Sequence, residues 1–90
     1  MTEPHDNPAQ SRFELEQDGD TAFAAYRLTG DTITFTHTIV PKPLEGQGIA
    51  SRLIAFALAE ARAKGLKVVP ECSFVAAYIE RHPDTQDLLA

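Results

Sequence analysis

The segment most suited to chemistry is Gly46-Gln47-Gly48, which follows an extended apolar run and leads directly into an amphipathic segment. Two glycines one residue apart let the backbone approach a ligand closely. The first amides of the helix that follows have no partner within that helix, and the helix dipole places partial positive charge beside them. The pattern is typical of a site for a phosphorylated ligand. The alternative is a plain strand-to-helix connection in which the glycines only relieve backbone strain.

Cys72 is the next reactive candidate, because it lies between a short apolar run and a second amphipathic segment. A helix dipole at that position would favour the thiolate. The position between a strand and a helix would also expose the sulfur at the carboxyl edge of a sheet. Two facts oppose this interpretation. The adjacent Glu71 disfavours ionisation, and a lone cysteine is most often a small buried hydrophobe.

His37 and Arg52 are weaker candidates. His37 is predicted to share a strand face with Phe35 and Ile39, where the usual interpretation is a partly buried histidine with a satisfied hydrogen bond. An unperturbed imidazole, with a pKa of about 6.5, nevertheless suits accepting a proton from an ammonium group. Arg52 lies one turn into the helix that the glycines begin, within reach of a phosphate, although an exposed helix arginine is usually just solvated.

An α/β domain with a mixed, twisted sheet and the element order βββαβα is predicted to position these residues. Alternating apolar residues predict an antiparallel meander of three strands over residues 11–17, 22–28 and 32–40. Helical spacing predicts helices over residues 48–64 and from 73 or 74 to about 81, with one more turn over 84–88. A strand over 66–69 is expected to join the sheet parallel to the third strand.

Length and charge limit the function classes. Ninety residues suffice for one domain, here residues 11–90, and residues 1–10 are predicted to be a flexible tail because they carry two prolines and mostly polar groups. The net charge of -5 disfavours nucleic acid and anionic membranes as partners. One cysteine excludes an internal disulfide, and the sequence predicts a cytoplasmic location. His5, His37 and His82 are too scattered to indicate a metal site.

Three stretches in this order resemble the small, truncated members of the GCN5-related N-acetyltransferase superfamily, over about residues 12–88. They are His37-Thr38-Ile39-Val40-Pro41, Glu45-Gly46-Gln47-Gly48-Ile49-Ala50, and Cys72-Ser73-Phe74-Val75 with Tyr78-Ile79 and His82-Pro83. The resemblance implies transfer of an acetyl group from acetyl-coenzyme A to an amine of a protein, peptide or small molecule. It implies that the amides of Gly46, Gln47, Gly48, Ile49 and Ala50 hold the pyrophosphate, and that Val40 pairs with the pantetheine arm.

The resemblance also implies catalytic roles. It places Cys72 beside the acetyl site, either as a nucleophile that carries a transient acetyl group or as a residue lining the thioester pocket. Tyr78 is expected to protonate the departing thiolate, although a tyrosine on a short amphipathic helix is more often a core residue with its hydroxyl at the rim.

Two positions depart from the superfamily's pattern. Pro43 replaces the usual Arg or Gln, which matters little to a cradle built from backbone. Ile39 replaces the Glu that would be the easiest general base, so His37 becomes the leading candidate for that role. Two further classes therefore stay open: a module that binds coenzyme A or acyl-coenzyme A without turnover, and a small interaction domain in which the glycine turn is purely structural.

Overall fold

A five-stranded sheet in the order β1-β2-β3-β4-β5 forms the frame of the protein, whose computed structural model describes residues 3–90. The strands are β1 (His5–Asn7), β2 (Arg12–Gln17), β3 (Asp20–Thr29), β4 (Thr32–Ile39) and β5 (Lys67–Pro70). The helices are α1 (Ile49–Ala63) and α2 (Ser73–Arg81), and short 3-10 turns span Pro8–Gln10, Lys42–Leu44 and Pro83–Leu88. None of the helices within residues 3–90 is long and apolar enough to cross a membrane.

The predicted architecture is confirmed from β2 onward. Strands β2, β3 and β4 form the antiparallel meander, and β5 pairs with β4 in parallel after α1. The buried side chains of both helices join those of the sheet in one core, because the apolar residues of α1 and α2 recur at helical spacing. The largest fully buried members are Phe35, Leu15, Ile33, Leu44, Leu53, Ile54, Val68 and Val75.

The predicted flexible tail is wrong for residues 5–10, which form β1 and a 3-10 turn; Met1 and Thr2 lie outside the described residues. Strand β1 pairs antiparallel with β2. The carboxylate of Glu14 accepts hydrogen bonds from Arg12 and from Asn7 Nδ2 (3.1 Å), and His5 Nε2 lies 3.2 Å from it. The hydrogen bond from Arg12 lowers the pKa of Glu14 despite its burial. Polar contacts therefore hold this strand, whereas the prediction considered only apolar burial.

A β-bulge changes the direction of the side chains in the second half of β4. Ala25 pairs with His37 while its neighbour Tyr26 pairs with Phe35, so Thr36 is an extra residue opposite β3. Beyond Thr36 the alternation is reversed: Thr38 is buried, and His37 is exposed. The prediction that His37 and Ile39 share the face of Phe35 is therefore wrong.

The C-terminal end of α1 is closed by its own backbone. Gly65 has a φ of 69°, and the amide of Leu66 donates to the carbonyl of Ala61 (2.8 Å), as in a Schellman motif. Arg62 donates two hydrogen bonds, each 2.9 Å long, to the two carboxylate oxygens of Asp87. Backbone amides thus return to the carbonyls of Ala61 and Arg62 at this end of the helix, and the cation of Arg62 is paired.

Candidate functional site

The two parallel strands of the sheet separate partway along β4. Strand β5 pairs with β4 only from Thr32 to Phe35, and the last link is the hydrogen bond from the amide of Cys72 to the carbonyl of Phe35 (2.9 Å). Beyond that bond the chain of β5 turns into α2, while β4 continues to Ile39 with β3 on its other side. One edge of the end of β4 therefore has no strand beside it in the part of the chain that the structure describes.

A cavity of about 420 Å³ lies at this separation. It is bounded by the end of β4, the glycine turn, the first turn of α1 and the first turn of α2. The lining residues are Thr38, Ile39, Val40, Leu44, Glu45, Gly46, Gly48, Ile49, Ala50, Ser51 and Phe74. The lining is thus mostly apolar, and it includes the start of a helix.

The N-terminus of α1 offers unpaired amides to this cavity. Gly46 and Gly48 have φ values of 81° and 73°, a left-handed conformation that glycine adopts without strain. Gly48 is the N-cap, and within residues 3–90 no side chain caps this end of the helix. The first helical bond runs from the amide of Arg52 to the carbonyl of Gly48 (3.1 Å), so the amides of residues 49–51 have no partner inside the helix. Such an end is suited to an anion.

Five of the seven residues predicted to bind the coenzyme line the cavity: Val40, Gly46, Gly48, Ile49 and Ala50. The other two, Gln47 and Arg52, do not. The side chain of Gln47 instead braces the turn, because its Nε2 donates to the carbonyl of Pro43 (3.1 Å) and its Oε1 accepts from Gln17 Nε2 (2.7 Å). Arg52 is half-buried one turn into the helix.

Cys72 lies behind the cavity wall. Its side chain is buried, at 5% exposure, and its Sγ is 3.3 Å from Thr38 Oγ1. The expectation that this sulfur is exposed at the edge of the sheet is therefore wrong. Thr38, which does line the cavity, was missed by sequence reasoning, because simple alternation along β4 assigned all its threonines to the face opposite Phe35.

Neither His37 nor Tyr78 lines the cavity. The exposed ring of His37 stands edge-on to Phe23, with 5.8 Å between ring centroids, and its Nδ1 is 3.3 Å from Thr36 Oγ1. The ring of Tyr78 stacks on His82 at 3.8 Å and is half-buried. The three catalytic candidates, these two and Cys72, therefore do not converge on the cavity.

Two further lining residues, one large and apolar and one acidic, were missed by sequence reasoning. Phe74, on the first turn of α2, is 51% exposed although it is a large apolar side chain. Glu45 is the only titratable side chain among the lining residues of the described chain, and it belongs to the glycine end. Within residues 3–90, no group of three or more His, Cys, Asp or Glu side chains is arranged to hold a metal ion.

Taken together, the mixed sheet, its separated parallel strands and the glycine-started helix define an α+β domain of the acetyltransferase type. The model of the GCN5-related N-acetyl-transferase family matches residues 12–88, so the chain belongs to that family. This confirms the resemblance seen in the three sequence stretches.

One similar solved structure supports the same assignment. The NMR solution structure of a GCN5-like candidate N-acetyltransferase from Staphylococcus aureus is 27% identical, with a TM-score of 0.76. The match covers 98% of this chain and 87% of that one. No curated protein gives a significant match to the sequence.

Proposed function

We propose that the protein is an N-acetyltransferase that moves an acetyl group from acetyl-coenzyme A to an amine. The observation that carries the proposal is the N-terminus of α1, which no side chain of residues 3–90 caps and which opens on a cavity between separated strands. The family to which the chain belongs supports the reaction class. The acceptor would be an amine of a protein, a peptide or a small molecule.

The cavity residues suit an extended coenzyme with an anionic end. The amides at Gly46 to Ala50 would hold the pyrophosphate, because unpaired amides and a helix dipole favour negative charge there. The open edge of β4 at Ile39 and Val40 would supply backbone hydrogen bonds to the amides of the pantetheine arm. The acyl group would then lie at the other end of the cavity, beside Thr38.

The proposed reaction is direct transfer. The free amine attacks the thioester carbonyl, its C–N bond forms, and the C–S bond breaks to release the coenzyme thiolate. Catalysis would come from holding the two reactants together and from backbone donors to the developing oxyanion. The burial of Cys72 favours a wall role over a covalent one. Since Tyr78 does not line the cavity, water is proposed to protonate the departing thiolate.

The amine must lose a proton during transfer. His37 is exposed one residue before Thr38 on β4, and neighbouring residues of a strand face opposite sides of the sheet, so its ring points away from the cavity. A water molecule in the cavity is therefore proposed to accept the proton. We expect His37→Gln to leave the rate of amine-dependent thiol release unchanged, and a large loss of rate would assign the proton to His37 instead.

The experiment that tests the function measures thiol release from acetyl-coenzyme A in the presence of a panel of amines, beside the melting temperature with and without coenzyme A. We expect a melting shift that grows with ligand concentration, together with amine-dependent thiol release. No shift at saturating coenzyme A would reject both binding and transfer, leaving the structural interpretation of the glycine turn.

A second candidate, a module that binds acyl-coenzyme A without turnover, is favoured by one observation. The single titratable lining side chain of the described chain, Glu45, is at the phosphate end, away from Thr38. A melting shift with no thiol release from any amine would support this module over the enzyme.

A further inference from the structure

The cavity lies beyond the point where β4 and β5 separate. The hydrogen bond from the Cys72 amide to the Phe35 carbonyl (2.9 Å) is the last link between the two chain segments. Thr38 is the lining residue nearest in sequence to that link, and the glycine turn is at the opposite end of the lining segment that runs from Thr38 to Gly48. The lining segment therefore runs from Thr38, which forms a wall beside the strand separation, to the glycine turn.

That wall is made of two small side chains that contact each other. Thr38 Oγ1 and Cys72 Sγ are 3.3 Å apart, and the two residues are 7% and 5% exposed. Thr38 lines the cavity, whereas Cys72 fills the space directly behind it. The bulge at Thr36 is what turns Thr38 towards the core, and the start of α2 is what brings Cys72 against it.

We propose that Thr38 and Cys72 set the length of the acyl group, admitting acetyl and excluding longer chains. The inference rests on the proposed function. With the pyrophosphate at the glycine turn and the pantetheine arm along the end of β4, the acyl group would lie against Thr38 at the other end of the lining segment. Close-packed interiors give little room to an added methylene, and enzyme pockets discriminate one methylene by about tenfold or more.

The test compares the affinities of coenzyme A, acetyl-, propionyl- and butyryl-coenzyme A for the protein without any acceptor, by calorimetry. We expect the wild type to bind propionyl-coenzyme A about tenfold more weakly than acetyl-coenzyme A, and butyryl-coenzyme A more weakly still. Cys72→Ala and Thr38→Ser each remove volume from the wall, so each is expected to reduce the tenfold preference to threefold or less.

Two matched controls separate size from polarity and from general damage to the strand. Thr38→Val keeps the shape of the wall but removes the hydroxyl, so it should retain the preference. Thr34→Ser makes the same change on the same strand at a residue that is also 7% exposed and does not line the cavity. It should behave as the wild type.

Equal affinity of the wild type for the three acyl-coenzymes, or an undiminished preference in both Cys72→Ala and Thr38→Ser, would overturn this inference while leaving the proposed function intact. A chain-length preference lost in Thr34→Ser would overturn it too. If coenzyme A itself does not bind, the proposed function fails first, and the inference fails with it.

Discussion

The two ends of α1 differ in how their backbone groups are hydrogen-bonded. At the C-terminal end, Gly65 and Leu66 return hydrogen bonds to the last turn, and Arg62 is paired with Asp87. At the N-terminal end, Gly48 caps the helix without any side-chain hydrogen bond in the described chain, and Glu45 to Gly48 are exposed. The same helix thus ends in a closed motif and begins with unpaired donors.

The contrast between the two ends indicates where a ligand would bind. Unpaired amides at a helix start lower stability relative to a capped start, because a good N-cap contributes about 1 kcal/mol. In the described chain that contribution is missing at both helix starts that border the cavity, since no side chain caps α1 at Gly48 or α2 at Cys72, and only the start of α1 lines the cavity with glycines. Changes at the open end should therefore act on ligand affinity, and changes at the closed end on stability.

The largest expected effect comes from placing a negative charge at the open end. We expect Gly46→Asp to weaken coenzyme A binding about 100-fold, or about 2.8 kcal/mol, because the added carboxylate would repel the negatively charged pyrophosphate at the helix start. Gly46→Asn has nearly the same shape and tolerates the left-handed backbone equally, so it should lose much less affinity.

Calorimetric titration of both variants measures the difference. Gly30→Asp is the control for added charge, since Gly30 has a φ of 61° in the turn between β3 and β4, with nothing within 4 Å of an added Cβ. Equal affinity of Gly46→Asp and Gly46→Asn for coenzyme A would argue against an anion site at this turn.

A smaller effect is expected when the same substitution, glycine to alanine, is made at each end of α1. Gly48→Ala and Gly65→Ala both force alanine into a left-handed backbone, at φ of 73° and 69°, where an added Cβ meets nothing within 4 Å. Each should lower the free energy of unfolding by a similar amount, about 1–2 kcal/mol. Only Gly48→Ala should also weaken coenzyme A binding. Denaturant titration and calorimetry together test this, and equal binding losses at both ends would remove the distinction between them.

The smallest effect concerns the closed end alone. The hydrogen bond from Arg62 lowers the pKa of Asp87 below its ordinary value of 3.8. A carboxyl group with a lowered pKa in the folded state contributes stability that is present at neutral pH and is lost as the pH falls through the folded pKa. Arg62→Ala should therefore lower the melting temperature slightly at pH 7, by an amount that shrinks below pH 3.8. Coenzyme A affinity should stay unchanged; a large loss of it would contradict the assignment of this end to stability.

Much of the frame could be predicted, because its signals are local. The apolar spacing in residues 48–64 and the glycine at 65 predict α1 to within one residue at each end. The short apolar run before Pro70 predicts the parallel strand. The glycine turn predicts the open start of α1, because its geometry depends on neighbouring residues alone.

What could not be predicted depends on contacts between distant segments. The bulge at Thr36 follows from how β3 and β4 align, and it alone decides that Thr38 rather than His37 faces the core. Residues 5–10 are ordered because β1 pairs with β2 and supplies hydrogen-bond partners to Glu14. The burial of Cys72 depends on the contact between α2 and β4, 34 residues away along the chain.

The extra residue in β4 gives this strand one residue more than its pairing with β3 requires. Deleting Thr36 would remove the bulge and leave the facing of the later residues unchanged, because His37 already pairs with Ala25 and Thr38 with Ala24. His37 would still point outward and Thr38 inward. A single deletion at this position would thus leave the residues that line the cavity on the side of the sheet that they occupy now.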